Sequence, residues 1–342
     1  MARPANKPIR VLQPFRAILP TTNPYITQLH RTLERTPGVE PLPFSYRRAL
    51  LGGYDVVHLH WPETRLGGRT TLRRAARLVF AYAYLLRIRM ARTPIVRTVH
   101  NLERPSGLGR LDYAWLRLVE RRTTLHVVLN AATPPTGRPQ VTILHGHYRD
   151  WFAGLPWHEP VPGRLVYAGL VRRYKNVDGL IAAFHAAHRL DRRLGLLVAG
   201  NPSSPELADE VRAAAVGDDA IRLDLRFLDE ADLAAAITSG ELVVLPYRHM
   251  HNSGAVLLAL SLDRPVLVPD NEANRLLGDE VGPGWVHTFD GELTGDDLLR
   301  ALAASRAPRS ARPDLSRREW DAAGQAHLAA YREALRLNGR AG

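Results

Sequence analysis

Residues 164–184 read RLVYAGLVRRYKNVDGLIAAF, and the order of residue types in this stretch decides the fold. An apolar run, Leu165–Ala168, stops at Gly169 and gives way to the basic loop Arg172-Arg173-Tyr174-Lys175. From Asn176 onward, Val177, Leu180, Ile181 and Phe184 fall at helical spacing. The pattern predicts a strand, a glycine turn and a helix that starts beside a guanidinium and an ammonium. Backbone N–H groups and the helix dipole at such a turn attract anions. The chain holds 46 Lys and Arg residues, of which only Lys7 and Lys175 are lysine. A lone interior lysine at a strand-to-helix turn suits a phosphate better than a solvated loop, because its charge is compact and mobile.

Outward from this unit, strand and helix patterns alternate. Toward the C-terminus they run as strand 196–199, helix 205–215, strand 221–225, helix 230–238, strand 242–245, helix 253–262 and strand 266–268. A last helix is expected over 316–337. Toward the N-terminus the strands are 9–12, 54–60, 95–100, 125–129 and 141–144, with helices at 25–35, 71–90 and 111–122. Alternation of this kind predicts parallel sheets covered on both faces. The Pro/Gly/Trp-rich stretch WFAGLPWHEPVPG, 151–163, interrupts it and is expected to be an interdomain linker. The expectation is α/β: two Rossmann-like, doubly wound domains, 1–150 and 164–315, facing a central cleft, with helix 316–338 packing back on the first. Ligands bind at the carboxyl edges of such sheets.

Composition narrows the partners. The chain has 342 residues, no cysteine and a net charge of +12. Disulfides and Cys-ligated metals are excluded, and a reducing cytoplasm is expected. MARPANKPIR lacks an apolar core, so no export signal is expected. No apolar run reaches the ~18–20 residues that span a bilayer. The positive charge fits nucleic acid, an anionic membrane or phosphorylated substrates. No zinc-finger spacing, aromatic RNA-binding strand or lysine tail is present, which sets nucleic acid aside. The segment 69–92 carries the apolar run LVFAYAYLL, with Arg69, Arg73, Arg74 and Arg77 before it and Arg87, Arg89 and Arg92 after it. It is expected to lie on an anionic membrane surface rather than only in a core.

Candidate chemistry gathers at inferred strand ends. In Tyr54–His60, Val56, His58 and His60 share one face, and Trp61, Pro62 and Glu63 follow. Trp61 offers a flat apolar platform, and Glu63 is the first candidate to take a proton from an acceptor hydroxyl. His100, at the next strand end, is the second. Asn101, Asn23 and Tyr25 complete the expected acceptor side. Glu103 and Asp112 are expected at the surface. His145, His147 and Asp150 have too few ligands for a convincing metal site, and none is expected. The segment PYRHMHNSGAVLLALSLDRPVLVP, 246–269, places Asn252, Ser253 and Gly254 before an apolar helix. A polar cap and a glycine there serve as an N-cap or as a second phosphate cradle. Donor-side candidates are thus Gly169, Arg172, Lys175, Asn252, Ser253 and Gly254.

Taken together, YDVVHLHWPE, IVRTVHNL, LVYAGLVRRYKNVDGLIAAF, NSGAVLLALSLDRPVLVP and SRREWDAAGQAHLAAY resemble, in order and spacing, bacterial GT-B glycosyltransferases of exopolysaccharide and glycolipid assembly. The resemblance spans Val11 to Leu337. It implies transfer of a sugar from a GDP- or UDP-sugar co-substrate to a lipid-linked or glycan acceptor, with no further cofactor. The enzyme would then be cytoplasmic and peripheral at the inner face of the plasma membrane. Retaining members carry two glutamates eight positions apart; here those positions hold Met250 and Leu258, and Asp263 stands where Gly is usual. The departure points to the inverting, β-forming enzymes, such as mannosyl- and glucuronosyltransferases. Fixed cations at Arg172 and Lys175 would replace a metal. Three alternatives remain at this point: a nucleotide-sugar 2-epimerase of the same fold, a retaining transferase without the pair, and a non-catalytic binder of anionic glycans or lipids.

Overall fold

A computed structural model describes residues 7–19, 22–67, 70–102 and 107–339. The chain divides into two compact units. Unit 1 comprises residues 1–146 and 318–342, and unit 2 residues 147–317.

Unit 1 holds a six-stranded parallel sheet. Its strands are β1 (Ile9–Leu12), β2 (Val39–Leu42), β3 (Val56–Leu59), β4 (Ile95–Val99), β5 (Thr123–Val128) and β6 (Gln140–Thr142), in the order β2-β1-β3-β4-β5-β6. The chain first winds from β1 to β2, then returns to the other side of β1 with β3. The direction of winding therefore reverses between β1 and β3, which is where ligands gather in open α/β sheets. On one face, Val11, Val56, Val96 and Val127 pack with Ile26, Leu29 and Leu33 of the helix Pro24–Arg35. The last helix, Trp320–Leu337, packs on that same face through Leu328, Tyr331 and Leu335.

Unit 2 repeats the plan. Its strands are β7 (Arg164–Ala168), β8 (Gly195–Ala199), β9 (Ile221–Asp224), β10 (Leu242–Val244), β11 (Val266–Pro269) and β12 (Val286–Phe289), in the order β12-β11-β10-β7-β8-β9, all parallel. The reversal here lies between β7 and β10. The opening stretch forms β7, a short 3-10 turn at Arg173–Lys175 and the helix Val177–Leu190. Its expected apolar positions Val177, Leu180, Ile181 and Phe184 are all buried.

Several elements escaped the sequence patterns: β2, β12 and the helices Tyr46–Leu51, Glu272–Val281 and Gly295–Ser305. β2 reads VEPL and β12 reads VHTF. Both are edge strands whose apolar residues are broken by polar residues or proline, so no apolar run marks them. The stretch 151–163 is not a free linker. Phe152 lies in the unit 2 core, Trp151 Nε1 donates to Glu230 at 2.8 Å, and Val161 N–H bonds Ser239 O at 3.0 Å. The buried Arg264 donates to His158 O at 2.8 Å and covers the Trp157 ring. Polar backbone in a proline-rich run found partners along the edge of unit 2, so the boundary moves to Gly146/His147.

Candidate active site

At the carboxyl edge of unit 2, the loops after β7 and β10 lie on neighbouring strands. They are bonded to each other: Arg248 N–H donates to Tyr174 O at 2.9 Å, and its guanidinium donates to Asn176 Oδ1 at 3.0 and 3.2 Å. The turn at Gly169 has φ +128°, and Gly200, after β8, has φ +144°. A Cβ on Gly200 would stand 1.8 Å from Gly169 O, so the two strand ends approach more closely than any other residue allows. Within the basic loop the charges separate. Arg173 turns outward into a two-pronged pair with Glu210, whereas Arg172 and Lys175 have no carboxylate partner among the described residues. Asn176, at φ +55°, is the N-cap of the following helix, yet its side chain makes no cap bond there. The first turn of that helix is left uncapped by a side chain, beside two cations.

Burial, with the Arg172 guanidinium adding to it, lowers the Lys175 ammonium to about 8. Across the same edge, Ser253 Oγ caps the helix Gly254–Ser261 by accepting from Val256 N–H at 3.4 Å. A Cβ on Gly254 would press on Tyr148 Oη at 3.1 Å. Asn252 immediately precedes this cap. Met250 and Leu258 occupy the positions of the absent glutamates; the Met250 carbonyl and sulfur take bonds from Asn271 and Asn274. Asp263 adopts φ +55°, the left-handed conformation that explains why glycine is usual there. Its carboxylate pairs with Arg149 and Arg312.

The carboxyl edge of unit 1 is lined by histidines. The Trp61 ring stacks on His100 at 3.9 Å and 20°, so one face of the expected platform is already covered. His60 Nδ1 lies 3.1 Å from His100 Nε2, and His60 Nε2 has no partner. A bare lone pair costs less when buried than a bare N–H. We therefore assign His60 as the donor through Nδ1 and His100 as the acceptor through Nε2. His58 bridges Tyr331 and Thr98 at 2.8 Å each. Tyr25 is buried, with His60, His100, His145 and Trp320 packed around its ring. Asn23 caps the helix Pro24–Arg35 through Tyr25 N–H, and Asn101 is exposed. Burial holds His58, His60 and His100 well below the usual histidine range and lowers His145 and His327 to about 4.

Glu63 sits on the 3-10 turn Pro62–Arg65. The turn is pinned by Arg65, which donates to Pro14 O at 2.6 Å and covers the Phe44 ring. The Glu63 side chain is half-buried and has no bond partner among the described residues. Asp112, expected at the surface, is instead 1% exposed; it accepts from Gly109 N–H and pairs with Arg74 at 2.5 Å. It serves as a helix cap, a use that its charge alone does not reveal. Glu103 and Arg69 lie outside the described residues. His147 Nδ1 accepts from Arg149 N–H, and His145 Nδ1 lies 2.8 Å from Gly146 O. Among the described residues no cluster of three His, Asp or Glu is arranged to hold a metal.

The helix Thr71–Met90 has two apolar faces. Ala81, Tyr84, Leu85 and Ile88 are buried. Leu72, Ala76, Val79, Ala83, Leu86 and Met90, spaced by four and three residues, face outward. Leu72 is 80% exposed, Val79 70%, Leu86 54% and Met90 75%. From Thr64 to Leu102 the sequence contains no Asp or Glu. Among the described residues no helix is long and apolar enough to cross a membrane.

The sequence reading passed over Tyr247, Arg248 and Tyr148, which shape the donor edge. Tyr247 and Arg248 stand in the loop of the segment 246–269, where residue type alone gives them no role; the pairing of β7 with β10 brings them beside the basic turn.

Two doubly wound parallel sheets, each with chemistry at its carboxyl edge, define the scaffold of the GT-B glycosyltransferases. A family described as glycosyl transferases group 1 matches residues 162–303. A GDP-mannose:glycolipid 4-beta-D-mannosyltransferase of Xanthomonas campestris pv. campestris is 44% identical over 321 residues, covering 94% of this chain and 91% of that protein. In fold, the chain resembles AviGT4, a glycosyltransferase involved in avilamycin A biosynthesis (TM-score 0.57, 16% identity, 97% of this chain and 99% of that one). It also resembles a putative UDP-N-acetylglucosamine 2-epimerase from Listeria monocytogenes (TM-score 0.54, 16% identity, 96% and 97%). The chain belongs to the group 1 glycosyltransferases, and it is an enzyme that transfers a sugar from a nucleotide sugar.

Proposed function

We propose that this enzyme transfers mannose from GDP-mannose to a lipid-linked glycan, with inversion at the anomeric carbon and without a metal ion. The observation that carries the reading is the 44% identity, extending over 94% of the chain, to a protein named for that donor and a glycolipid acceptor. The fold it shares with an epimerase speaks to architecture alone.

Each edge takes half of the reaction. In unit 2, Arg172, Lys175, the uncapped start of the helix Val177–Leu190 and the Ser253–Gly254 backbone receive the diphosphate. They balance the charge that grows on GDP as the sugar–phosphate bond breaks. Fixed cations suffice for that purpose, which supports a metal-independent reaction. Met250 and Leu258 leave the donor without the carboxylate pair of retaining relatives, which supports inversion. In unit 1 the Glu63 carboxylate accepts the proton of the acceptor hydroxyl as its oxygen bonds the anomeric carbon. His100 is the poorer base, because its Nε2 lone pair is engaged by His60. The exposed stripe of Thr71–Met90, set among arginines, supports a peripheral position at an anionic membrane on the cytoplasmic side, where a lipid-linked acceptor resides.

Purified enzyme, GDP-mannose and a lipid-linked acceptor in EDTA should yield a mannosylated product whose anomeric NMR coupling reports the β-linkage. Formation of an epimerised nucleotide sugar without acceptor, or dependence on added metal, overturns the reading.

A further inference from the structure

Lys175 carries a charge that the protein does not neutralise. Among the described residues no oxygen accepts from its ammonium and no carboxylate pairs with it. The charge that acts on it is that of Arg172, of the same sign. What it does touch is an aromatic face: Nζ stands 4.9 Å from the centroid of the Tyr247 ring. It lies 4.0 Å from where a Cβ on Gly169 would be, an ordinary van der Waals distance, so the lysine sits beside the glycine turn.

The ring is itself held. Tyr247 is 6% exposed, and Tyr174, next to Lys175 in the chain, meets it edge-on at 6.1 Å and 83°. Its successor, Arg248, donates its N–H to Tyr174 O, which ties the backbone at the ring to the turn that bears the lysine. Among the described residues the Tyr247 hydroxyl has no partner, so the ring, rather than the oxygen, makes the contact of consequence. A ring face attracts a cation, more strongly when the pair is desolvated.

We propose that Tyr247 is the positioning residue of Lys175: its ring face holds the ammonium where the donor's diphosphate is received. This rests on the donor site proposed above. The ring favours the charged lysine over the neutral amine, so it opposes the burial that pushes the proton off. It also fixes a flexible side chain before the anion arrives, which lowers the ordering cost of binding.

The test is calorimetric titration of the full chain with GDP between pH 7 and 9.5, for the wild type, Tyr247→Leu, Tyr247→Phe, Lys175→Ala and the Tyr247→Leu/Lys175→Ala double variant. Tyr247→Leu should bind GDP about threefold to thirtyfold more weakly at pH 8, and its affinity should begin to fall at a lower pH than in the wild type. Tyr247→Phe should match the wild type in both respects. In the Lys175→Ala background, Tyr247→Leu should cost nothing further, because the contact is already gone. Wild-type behaviour of Tyr247→Leu overturns the proposal. So does a Phe variant as weak as Leu, or an equal loss in the lysine-free background, which would mark general damage. Unaltered GDP binding by Lys175→Ala would instead remove the donor-site assignment, and this inference with it.

Discussion

The carboxyl edges of the two sheets are built from opposite materials. In unit 1 the strands end in buried histidines and aromatic rings, neutral and bonded to one another. In unit 2 they end in glycines and in cations left without counter-ions. Both edges sit on the same scaffold, six parallel strands with one reversal of winding, so the scaffold does not distinguish them. The difference lies in what each edge does with charge. Unit 1 suppresses it, because burial keeps the imidazoles of His58, His60 and His100 neutral. Unit 2 keeps it, with the half-buried Lys175 beside Arg172 and no carboxylate paired to either among the described residues.

Acidification should strike unit 1 hardest. His145 and His327 have folded values of about 4 against ~6.5 unfolded. Between these values the unfolded chain binds more protons, so stability is complete above pH 6.5 and falls as pH drops toward 4. Each of the two costs on the order of 3 kcal/mol over that range, with His58, His60 and His100 acting in the same direction. Hydrogen exchange followed by mass spectrometry should show β3 and β4 losing protection between pH 6.5 and 5 while β7 and β8 keep theirs. Equal loss in both sheets would erase the contrast.

Gly200→Ala attacks the other edge. A methyl group 1.8 Å from a backbone oxygen, at a positive φ, should destabilise unit 2 by at least ~3 kcal/mol, measured as a lower midpoint in urea. Glu63→Gln should leave GDP affinity unchanged and cut turnover at least ~100-fold; full turnover would move the base elsewhere. Lys175→Ala should weaken GDP binding by ~1.5–3 kcal/mol without slowing proton transfer. In the wild type, GDP affinity should decline as pH rises through about 8, since the neutral amine no longer pairs with phosphate. The smallest effect belongs to the membrane face. Leu72→Ser with Val79→Ser should reduce flotation with phosphatidylglycerol vesicles severalfold while leaving GDP binding untouched.

The sheets were legible in the sequence because their strands are runs such as LVYA and YDVVHLH, bounded by Gly, Pro or a helical period. The edge strands β2 and β12 were not, since VEPL and VHTF are broken by a charged or polar residue and, in β2, by proline. Of the candidate residues, Arg172 and Lys175 stood out by composition and position, and the structure leaves both without a carboxylate. Asn23 and Ser253 look alike in sequence and are both caps; only the elements around them distinguish a cap beside a ligand edge from one that simply starts a helix. The histidine nest was half visible. His58 and His60 fall on one face by strand alternation, but their joining to His100, His145 and His327 needs four elements brought together from across the chain. Tyr247 had no signal of its own, because its partner Lys175 lies 72 residues earlier in the chain and only the fold brings the two together.

The helix Trp320–Leu337 closes unit 1 although it follows all of unit 2 in the chain. On a ribosome the first half of the protein to emerge is therefore the last to be finished. Unit 2 has its whole sequence in one piece and can fold as soon as it is extruded, whereas His58 waits for Tyr331, some 270 residues later. Until translation ends, one apolar side of the β1–β6 sheet is covered only in part, by the helix Pro24–Arg35. Unit 1 is thus the part of this enzyme that most needs a chaperone's cover, and a stop codon before Arg318 would leave it unfinished while sparing unit 2.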